Sequence, residues 1–350
     1  MKKFVALCLI IVLVLLPFAG CGDGNGDPAD DTWFLAASVA SLDNEYWAQF
    51  AAGGQIFADS KDNVEYQVLL FGAGDDARQL QTIRDFIAQH GQRAIFMIDP
   101  SSIANSLTIA ELLEEEGIYF SMANQLAPGL DPANFNHFVR FLTADVRQQG
   151  YDTARYVFEA LGGSGNVLYL IGDISHDAAN ERLAGFEEAL EAFPGINVLD
   201  RQVANWDQAQ ALAITETWLA QHDNIDAIIT ANDTMALGAI EALTRVGLNG
   251  QVLVSGTDGI AAAFDAVKAG DMLCTIAQNG FRIFAFGAAY AFYAATGVID
   301  PADLYPRAAL TEVDFVTSAN VEEIIEALVN TRPVFDFTNL EGPIVGRWRG

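Results

Sequence analysis

The chain has 350 residues, 51% of them hydrophobic, and carries 46 acidic against 18 basic side chains, a formal net charge of −28 at pH 7. This length suffices for about two domains, and the hydrophobic fraction excludes a disordered or collagen-like chain. The 3 cysteines are too few for a disulfide framework, and the acidic surface repels nucleic-acid phosphates and anionic lipid.

The first residues have the pattern of an export signal. Two lysines precede an unbroken apolar run over 4–16, which is shorter than the roughly 20 residues of a membrane span. The run ends in the letters PFAGC, which resemble a bacterial lipobox, where small residues precede a cysteine that receives a diacylglycerol. We therefore predict a signal peptide over 1–20, lipidation of Cys21 and a flexible acidic tether over 21–31. Ordinary secretion with a chance cysteine is the alternative.

From residue 33 onward, short apolar runs alternate with segments of helical periodicity, such as Asp76–His90, Glu181–Phe193 and Asp233–Thr244. Continuous apolar strands between helices predict βαβ units and mainly parallel sheets with helices on both faces. The number of strands exceeds what one sheet normally holds, so we predict an α/β protein with two doubly wound lobes. The predicted strands are Phe34–Val39, Tyr66–Phe71, Ala94–Ile98, Tyr119–Met122, Phe138–Leu142, Val167–Ile171, Asn197–Val203, Ala227–Thr230, Val252–Ser255, Leu273–Ile276 and Val313–Val316.

Polar residues follow many of these strands, and in open α/β sheets a ligand binds beyond the carboxyl ends of the strands. Amides, carboxylates and hydroxyls, with Arg182 and Trp206 nearby, suit a neutral polyol. Its hydroxyls would meet the polar groups, and its C–H face would meet the aromatic rings. Besides Arg182 and Trp206, the candidates are Asp43, Asn44, Tyr46, Trp47, Ser101, Asn124, Gln125, Asp173, Asn232, Asp258 and Gln278.

Five segments in order resemble the periplasmic binding proteins of the ribose and galactose type, the type I family that is related to the ligand-binding core of lactose-repressor-like regulators. The most specific is Thr230–Ala239, similar to the family signature N-D-x-M-A-L-G-A. The others resemble the patterns L-N-N-P-F-F, R-x-x-G-F, G-F-D-G and T-I-A-Q; they are Leu42–Trp47, Arg182–Phe186, Ser255–Gly259 and Thr275–Gln278.

The resemblance implies hydrogen bonds to the ligand from five positions and stacking from three aromatic residues. The hydrogen-bonding residues are Asn44, Arg182, Asn232, Asp258 and Gln278, and the stacking residues are Tyr46, Trp47 and Trp206. Asp43 and Glu45 stand where the family has Asn and Pro. Asn124-Gln125 stands where ribose binders have an Asp-Arg pair, which argues against ribose itself while leaving the sugar class intact.

The resemblance also implies two discontinuous lobes joined by three hinge crossings. The N-terminal lobe would comprise 32–142 and 279–310, the C-terminal lobe 143–278 and 311–340, and a tail would cover 341–350. The implied function is a monomeric, lipid-anchored binding protein that faces the periplasm or the extracellular side. It would capture a monosaccharide by hinge closure and deliver it to the permease of an ABC importer, without cofactor or metal.

Other interpretations stay open. A sensory binding protein that presents the sugar to a chemoreceptor or histidine kinase would have the same site. An enzyme is disfavoured because nucleophile, phosphate-binding and metal-ligand motifs are missing, although Asp43 and Asp258 could imitate a glycosidase pair. Cys274, between apolar neighbours, is expected to be a buried unreactive thiol. Each site residue also has a structural alternative: Asn232 as a helix cap, Asp258 as a turn residue, Trp206 as core, or Arg182 paired with Glu181 or Glu188.

Overall fold

The computed structural model describes residues 31–331 and 333–348. The leader, Cys21 and the tether up to residue 30 lie outside this range, as do the last two residues. In the described part, no helix has both the length and the apolar character needed to cross a membrane.

The N-terminal lobe is built on a sheet of seven strands in the order β13-β11-β5-β4-β3-β1-β2. Neighbouring strands are parallel except β11 and β13, which are antiparallel. Helices α1 and α9 cover one face and α2 and α3 the other, each over its own apolar core. The elements are β1 Trp33–Val39, α1 Glu45–Ala58, β2 Val64–Leu70, α2 Asp76–His90, β3 Ala94–Ile98, α3 Ile103–Glu115, β4 Phe120–Ala123, β5 Phe138–Thr143, α9 Gly280–Ala295, β11 Ala308–Thr311 and β13 Ile344–Arg347.

The C-terminal lobe repeats this plan with a sheet of six strands in the order β12-β10-β9-β8-β6-β7, in which only β10 and β12 pair antiparallel. Its core is one continuous apolar cluster. The elements are α4 Val146–Ala160, β6 Ser164–Ile171, α5 Asp177–Ala192, β7 Gly195–Val203, α6 Gln208–Gln221, β8 Ala227–Thr230, α7 Asp233–Arg245, β9 Leu253–Ser255, α8 Ala261–Ala269, β10 Cys274–Ala277, β12 Asp314–Thr317 and α10 Val321–Ile325. The predicted two-lobed α/β fold is confirmed.

Two glycines, Gly185 of a signature segment and Gly150 of α4, allow close helix packing in the C-terminal lobe. A Cβ atom at Gly185 would clash with the backbone of α4 at Arg147, and one at Gly150 would clash with the backbone of α5 at Arg182. Helices α4 and α5 therefore approach each other through two glycines. This contact fixes α5 and, with it, the position of Arg182 at the edge of the sheet.

The end of the chain departs from the predicted division of the lobes. The prediction assigned 311–340 to the C-terminal lobe, but the ring of Phe337 packs 5.1 Å from Phe57 and 5.5 Å from Phe286, both in the N-terminal lobe. Strand β13 then pairs with β11 in the sheet of that lobe, so part of the predicted tail is a strand. The apolar faces of α1 and α9 explain the difference, because Phe337 completes their core.

Candidate ligand-binding site

A cleft lies between the lobes and encloses a cavity of about 50 Å³. All ten residues of the main prediction line it: Asn44, Tyr46, Trp47, Asn124, Gln125, Arg182, Trp206, Asn232, Asp258 and Gln278. Four residues outside the prediction complete the lining: Asp99, Val146, His176 and Ala178. The cleft is therefore polar and aromatic, with contributions from both lobes.

Asp258 is the centre of the polar network in the C-terminal lobe. Its Oδ1 accepts from Gln278 Nε2 at 2.9 Å and from Arg182 Nη2 at 3.4 Å, and its Oδ2 accepts from Asn232 Nδ2 at 3.4 Å. Burial raises the pKa of Asp258 to about 6, and the Arg182 charge opposes the rise. The backbone φ of +133° is one that side chains other than glycine rarely adopt, so Asp258 is more than an ordinary turn residue.

Arg182 points into the cleft rather than across the helix surface. Its Nη1 donates to the carbonyl oxygen of Ala231 at 2.7 Å, and its Nε donates to Gln149 Oε1 at 3.3 Å. Arg147 is the residue that pairs with Glu181 and Glu188. The surface ion pair considered for Arg182 is therefore absent among the described residues. Its guanidinium instead holds Asp258 in a fixed orientation.

The Asn232-Asp233 pair of the signature has two separate structural roles. Asn232 Oδ1 accepts from the backbone N–H of Met235 at 3.0 Å and caps α7, while its amide nitrogen reaches Asp258. Capping and a place in the cleft thus coexist. Asp233 Oδ2 accepts from the N–H groups of Gly259 and Ile260 at 2.7 and 3.1 Å, which holds the loop that carries Asp258.

In the N-terminal lobe, Asp99 joins the aromatic and amide residues of the cleft. Trp47 Nε1 donates to its Oδ2 at 2.7 Å and Asn124 Nδ2 to its Oδ1 at 3.2 Å. Burial raises the pKa of Asp99 to about 7. Asp99 was not among the predicted site residues, although it is the first polar residue after β3, the same position relative to its strand as the candidates that follow other strands.

Trp206 stands on the C-terminal lobe with its indole at the cavity wall. A Cβ atom at Gly172 would clash with the ring, so the glycine lets the indole lie flat on the backbone. The ring nitrogen donates to His176 Nδ1 at 3.2 Å, and the Arg182 guanidinium carbon lies 6.0 Å from the ring centre. Trp206 therefore contributes to the cleft as well as to the partly buried rim of the core.

His176 connects the lobes at one rim of the cleft. Because Nδ1 accepts from Trp206, the proton lies on Nε2, which faces the carbonyl oxygen of Ser101 at 3.1 Å. Burial lowers the pKa of His176. Beside it, Gln125 Oε1 accepts from the N–H of Asp177 at 3.0 Å.

The opposite rim is also joined by hydrogen bonds between the lobes. Glu45 Oε1 accepts from the N–H of Ala261 at 2.8 Å, and Gln49 Nε2 donates to the carbonyl oxygen of Gly259 at 3.3 Å. Ala261 is the first residue of α8, and the residue before it, Ile260, makes no side-chain capping bond. Glu45 thus caps a helix of the other lobe, and the structure shows the closed state.

Three candidates do not line the cleft. Asp43 is exposed, so it cannot form a carboxylate pair with Asp258 across a substrate. The hydroxyl of Ser101 is engaged with Asp76 and Asn105. Asp173 accepts from the N–H of Ser175 in the adjacent turn. Each followed a strand, but in each case a local partner or an outward direction keeps the side chain from the ligand space.

No group of three or more His, Cys, Asp or Glu side chains in residues 31–331 and 333–348 is arranged to hold a metal ion. Cys274 is buried in β10, and burial raises its pKa well above the usual range of a thiol. The cysteine therefore lacks the thiolate character of a nucleophile, in agreement with the prediction.

Two lobes that close over a polar and aromatic cleft define a solute-binding protein. Residues 35–298 match the family described as periplasmic binding protein domain, so the chain belongs to the periplasmic binding protein family. It is 31% identical over 297 residues to the D-allose-binding periplasmic protein of Escherichia coli strain K12, covering 81% of this chain and 93% of that protein.

Two further comparisons extend this similarity. The chain is 32% identical over 324 residues to the xylitol-binding protein of Mycolicibacterium smegmatis, covering 91% of this chain and 87% of that protein. The crystal structure of a twin-arginine translocation pathway signal protein from Burkholderia phytofirmans matches with a TM-score of 0.88 at 32% identity, covering 91% and 99% of the two chains. The resemblance to sugar-binding proteins is confirmed, and these relatives are binding proteins rather than enzymes.

Proposed function

We propose that the protein captures a monosaccharide or a related polyol outside the cytoplasm and delivers it to an ABC importer. The observation that carries this proposal is the closed cleft, in which amides, carboxylates and one arginine surround a space walled by three aromatic rings. Bidentate polar groups match vicinal hydroxyls, and aromatic faces match the C–H face of a sugar. The D-allose and xylitol binders among the relatives support the same ligand class.

Capture follows from contacts that exist only in the closed state. The N-terminal lobe contributes Asn44, Tyr46, Trp47 and Asn124, and the C-terminal lobe contributes Asp258 and its partners. A ligand that touches both sets binds the closed form more tightly than the open form, and it shifts the population by that difference. A shift from 1:99 to 99:1 requires about 5.5 kcal/mol, which several hydrogen bonds of about 0.5–3 kcal/mol each can supply.

A thermal-shift screen of pentoses, hexoses, deoxysugars and polyols tests the binding function. A ligand that binds only the native state raises its stability by RT ln(1 + [L]/Kd), so a true ligand should raise the melting temperature progressively with concentration. Calorimetric titration should then give one site per chain. The proposal fails if no compound of these classes raises the melting temperature.

We also propose that Cys21 carries the lipid that keeps the protein at the membrane. The lipobox-like segment supports this, and the acidic tether would let the lobes reach a permease. In cells that express the full chain, Cys21→Ser should release the protein from the membrane fraction, whereas the matched substitution Cys8→Ser should not. Co-purification of the wild-type protein with an ABC permease, rather than with a chemoreceptor or histidine kinase, distinguishes transport from sensing.

A further inference from the structure

The charged groups that line the cleft do not balance. Arg182 pairs with Asp258, both side chains being almost wholly buried, and His176 is neutral at pH 7 because burial lowers its pKa below the usual value. Asp99 is the remaining charged group of the lining, with 4% of its surface exposed. Within residues 31–331 and 333–348 it forms no ion pair, and with a pKa of about 7 it is partly ionised at neutral pH, so the closed cleft contains one titratable carboxyl group that has no cation beside it.

The carboxyl group of Asp99 can accept further hydrogen bonds. Its two present donors, Trp47 Nε1 and Asn124 Nδ2, are both neutral and take one lone pair from each oxygen. The second lone pair of each oxygen stays available at the cavity wall. The cost of burying this unpaired charge appears as the raised pKa of Asp99, about 7, which a cation beside it would reverse.

Asp99 lies beside the position at which the chain departs from the ribose pattern, 124–125. The Asp-Arg pair of the ribose pattern would follow β4, where this chain has Asn124 and Gln125. Here the carboxylate enters from the neighbouring strand β3 as Asp99, within hydrogen-bond distance of Asn124. Gln125, at the position of the arginine, accepts from the N–H of Asp177 across the rim. The cleft of this chain therefore has a carboxyl group at the end of β3 and no arginine at 125.

The aromatic residues beside Asp99 favour a cation at the same place. Tyr46 and Trp47 line the cavity from the N-terminal lobe, and the faces of such rings attract positive charge. On the opposite lobe, the ring of Trp206 already has the Arg182 guanidinium near it. Neither Tyr46 nor Trp47 has a cation over its ring among the described residues. The N-terminal half of the cleft therefore offers a carboxyl group beside aromatic faces, an arrangement that a cationic group of a ligand would match.

We propose that the preferred ligand is a polyol that carries one protonated amine, such as an amino sugar or an aminocyclitol, and that Asp99 is its counter-ion. This inference rests on the proposed function, because it specifies the ligand of the same cleft. The hydroxyls of the ligand contact Asp258, Asn232 and Gln278, and its ammonium group contacts Asp99 and lies beside Trp47. A hydrogen bond between two charged groups is stronger than one between neutral groups. The protein should therefore bind a polyol that carries an amine more tightly than the same polyol without it.

Matched pairs of compounds test the inference by calorimetric titration at pH 7. The probes are D-allose, xylitol and myo-inositol, each compared with the analogues in which one hydroxyl at a time is replaced by an amino group. We expect at least one amine to bind ten or more times tighter than its parent polyol. If the parent polyols bind and no amine binds tighter, the inference is wrong while the proposed function stands. If none of the probes binds, the inference is wrong, and the thermal-shift screen alone decides the proposed function.

The variant Asp99→Asn separates the role of the carboxylate from that of cavity shape. We expect the preference for the amine to disappear in Asp99→Asn, because the amide keeps the size of the side chain and removes its charge. The control Asp43→Asn changes an exposed carboxylate outside the cleft and should keep the preference. A preference that persists in Asp99→Asn would show that another group binds the amine and would refute the role of Asp99. Melting temperatures without ligand establish that both variants are folded.

Discussion

The hydrogen bond from Ala261 to Glu45 predicts a residue that controls affinity without touching the ligand. Glu45 belongs to α1 of the N-terminal lobe, yet it caps α8 of the C-terminal lobe at 2.8 Å and does not line the cleft. Helix α8 has no side-chain cap of its own. The bond forms only when the lobes close, so Glu45→Ala should destabilise the closed state and leave each separate lobe unchanged.

The expected magnitude follows from the capping interaction. An N-cap side chain contributes about 1 kcal/mol to stability, and a negative charge near a helix N-terminus also stabilises the helix. If the free protein is mainly open, a loss of about 1 kcal/mol from the closed state raises Kd about fivefold. Calorimetric titration measures Kd, and small-angle scattering of the ligand-free and saturated protein reports closure. Glu45→Gln keeps an acceptor oxygen, so its Kd should rise less than that of Glu45→Ala. Glu111 is an exposed residue of α3, and Glu111→Ala serves as the control. An unchanged Kd in Glu45→Ala would refute the role of Glu45 in stabilising the closed state.

Four further outcomes are expected. Asp258→Ala should lower ligand affinity by a hundredfold or more and should also lower the ligand-free melting temperature, because it leaves the buried Arg182 guanidinium without its partner; an unchanged affinity would contradict the role of Asp258 in binding. Trp206→Phe should remove most of the fluorescence change on ligand binding, because this indole lies at the cavity wall; a full response in the variant would contradict this. Gly185→Ala should reduce the free energy of unfolding by about 1–3 kcal/mol in denaturant titrations, because a Cβ would meet the α4 backbone; unaltered stability would refute the close packing. Burial raises the pKa of Asp99 from 3.8 to about 7, so the folded state binds more protons and loses stability as the pH rises from about 4 to 7. The stability of Asp99→Asn relative to wild type should therefore increase over that pH range, and a constant difference would contradict the raised pKa.

Most of the fold could be predicted because buried parallel strands leave a strong local signal. Strands β3 and β8 occupy the predicted ranges, and α2 begins and ends at the predicted residues. Strands β11 and β13 were missed for identifiable reasons. Strand β11 is four residues long and begins with two alanines, and β13 is a partly exposed edge strand that contains a glycine. They form strands by pairing across the sheet, β13 with β11 and β11 with β5, and no local pattern encodes such pairing.

The site residues that belong to the family signatures could be predicted from the sequence. The others were missed for physical reasons. The signatures place Arg182 and Asp258 in the cleft, but they give no information about Asp99, which the family pattern does not include. His176 was missed for a different reason. Its role depends on Trp206 and on the carbonyl oxygen of Ser101, two groups that come together only when the lobes close. Contacts between the two lobes join residues that are far apart in the chain, so they leave no periodic pattern in the sequence.

Several residues serve both the fold and the cleft, and this double role limits what the sequence can say about the ligand. Asn232 caps α7 with its oxygen and holds Asp258 with its nitrogen, so the same residue would be retained for either purpose. Asp233 never touches the cleft, yet it fixes the loop that carries Asp258. Asp99 differs from both, because its carboxylate caps no helix and pairs with no cation in the described chain. Its two side-chain hydrogen bonds come from Trp47 and Asn124, both residues of the cleft, so Asp99 is the position at which specificity should be tested first.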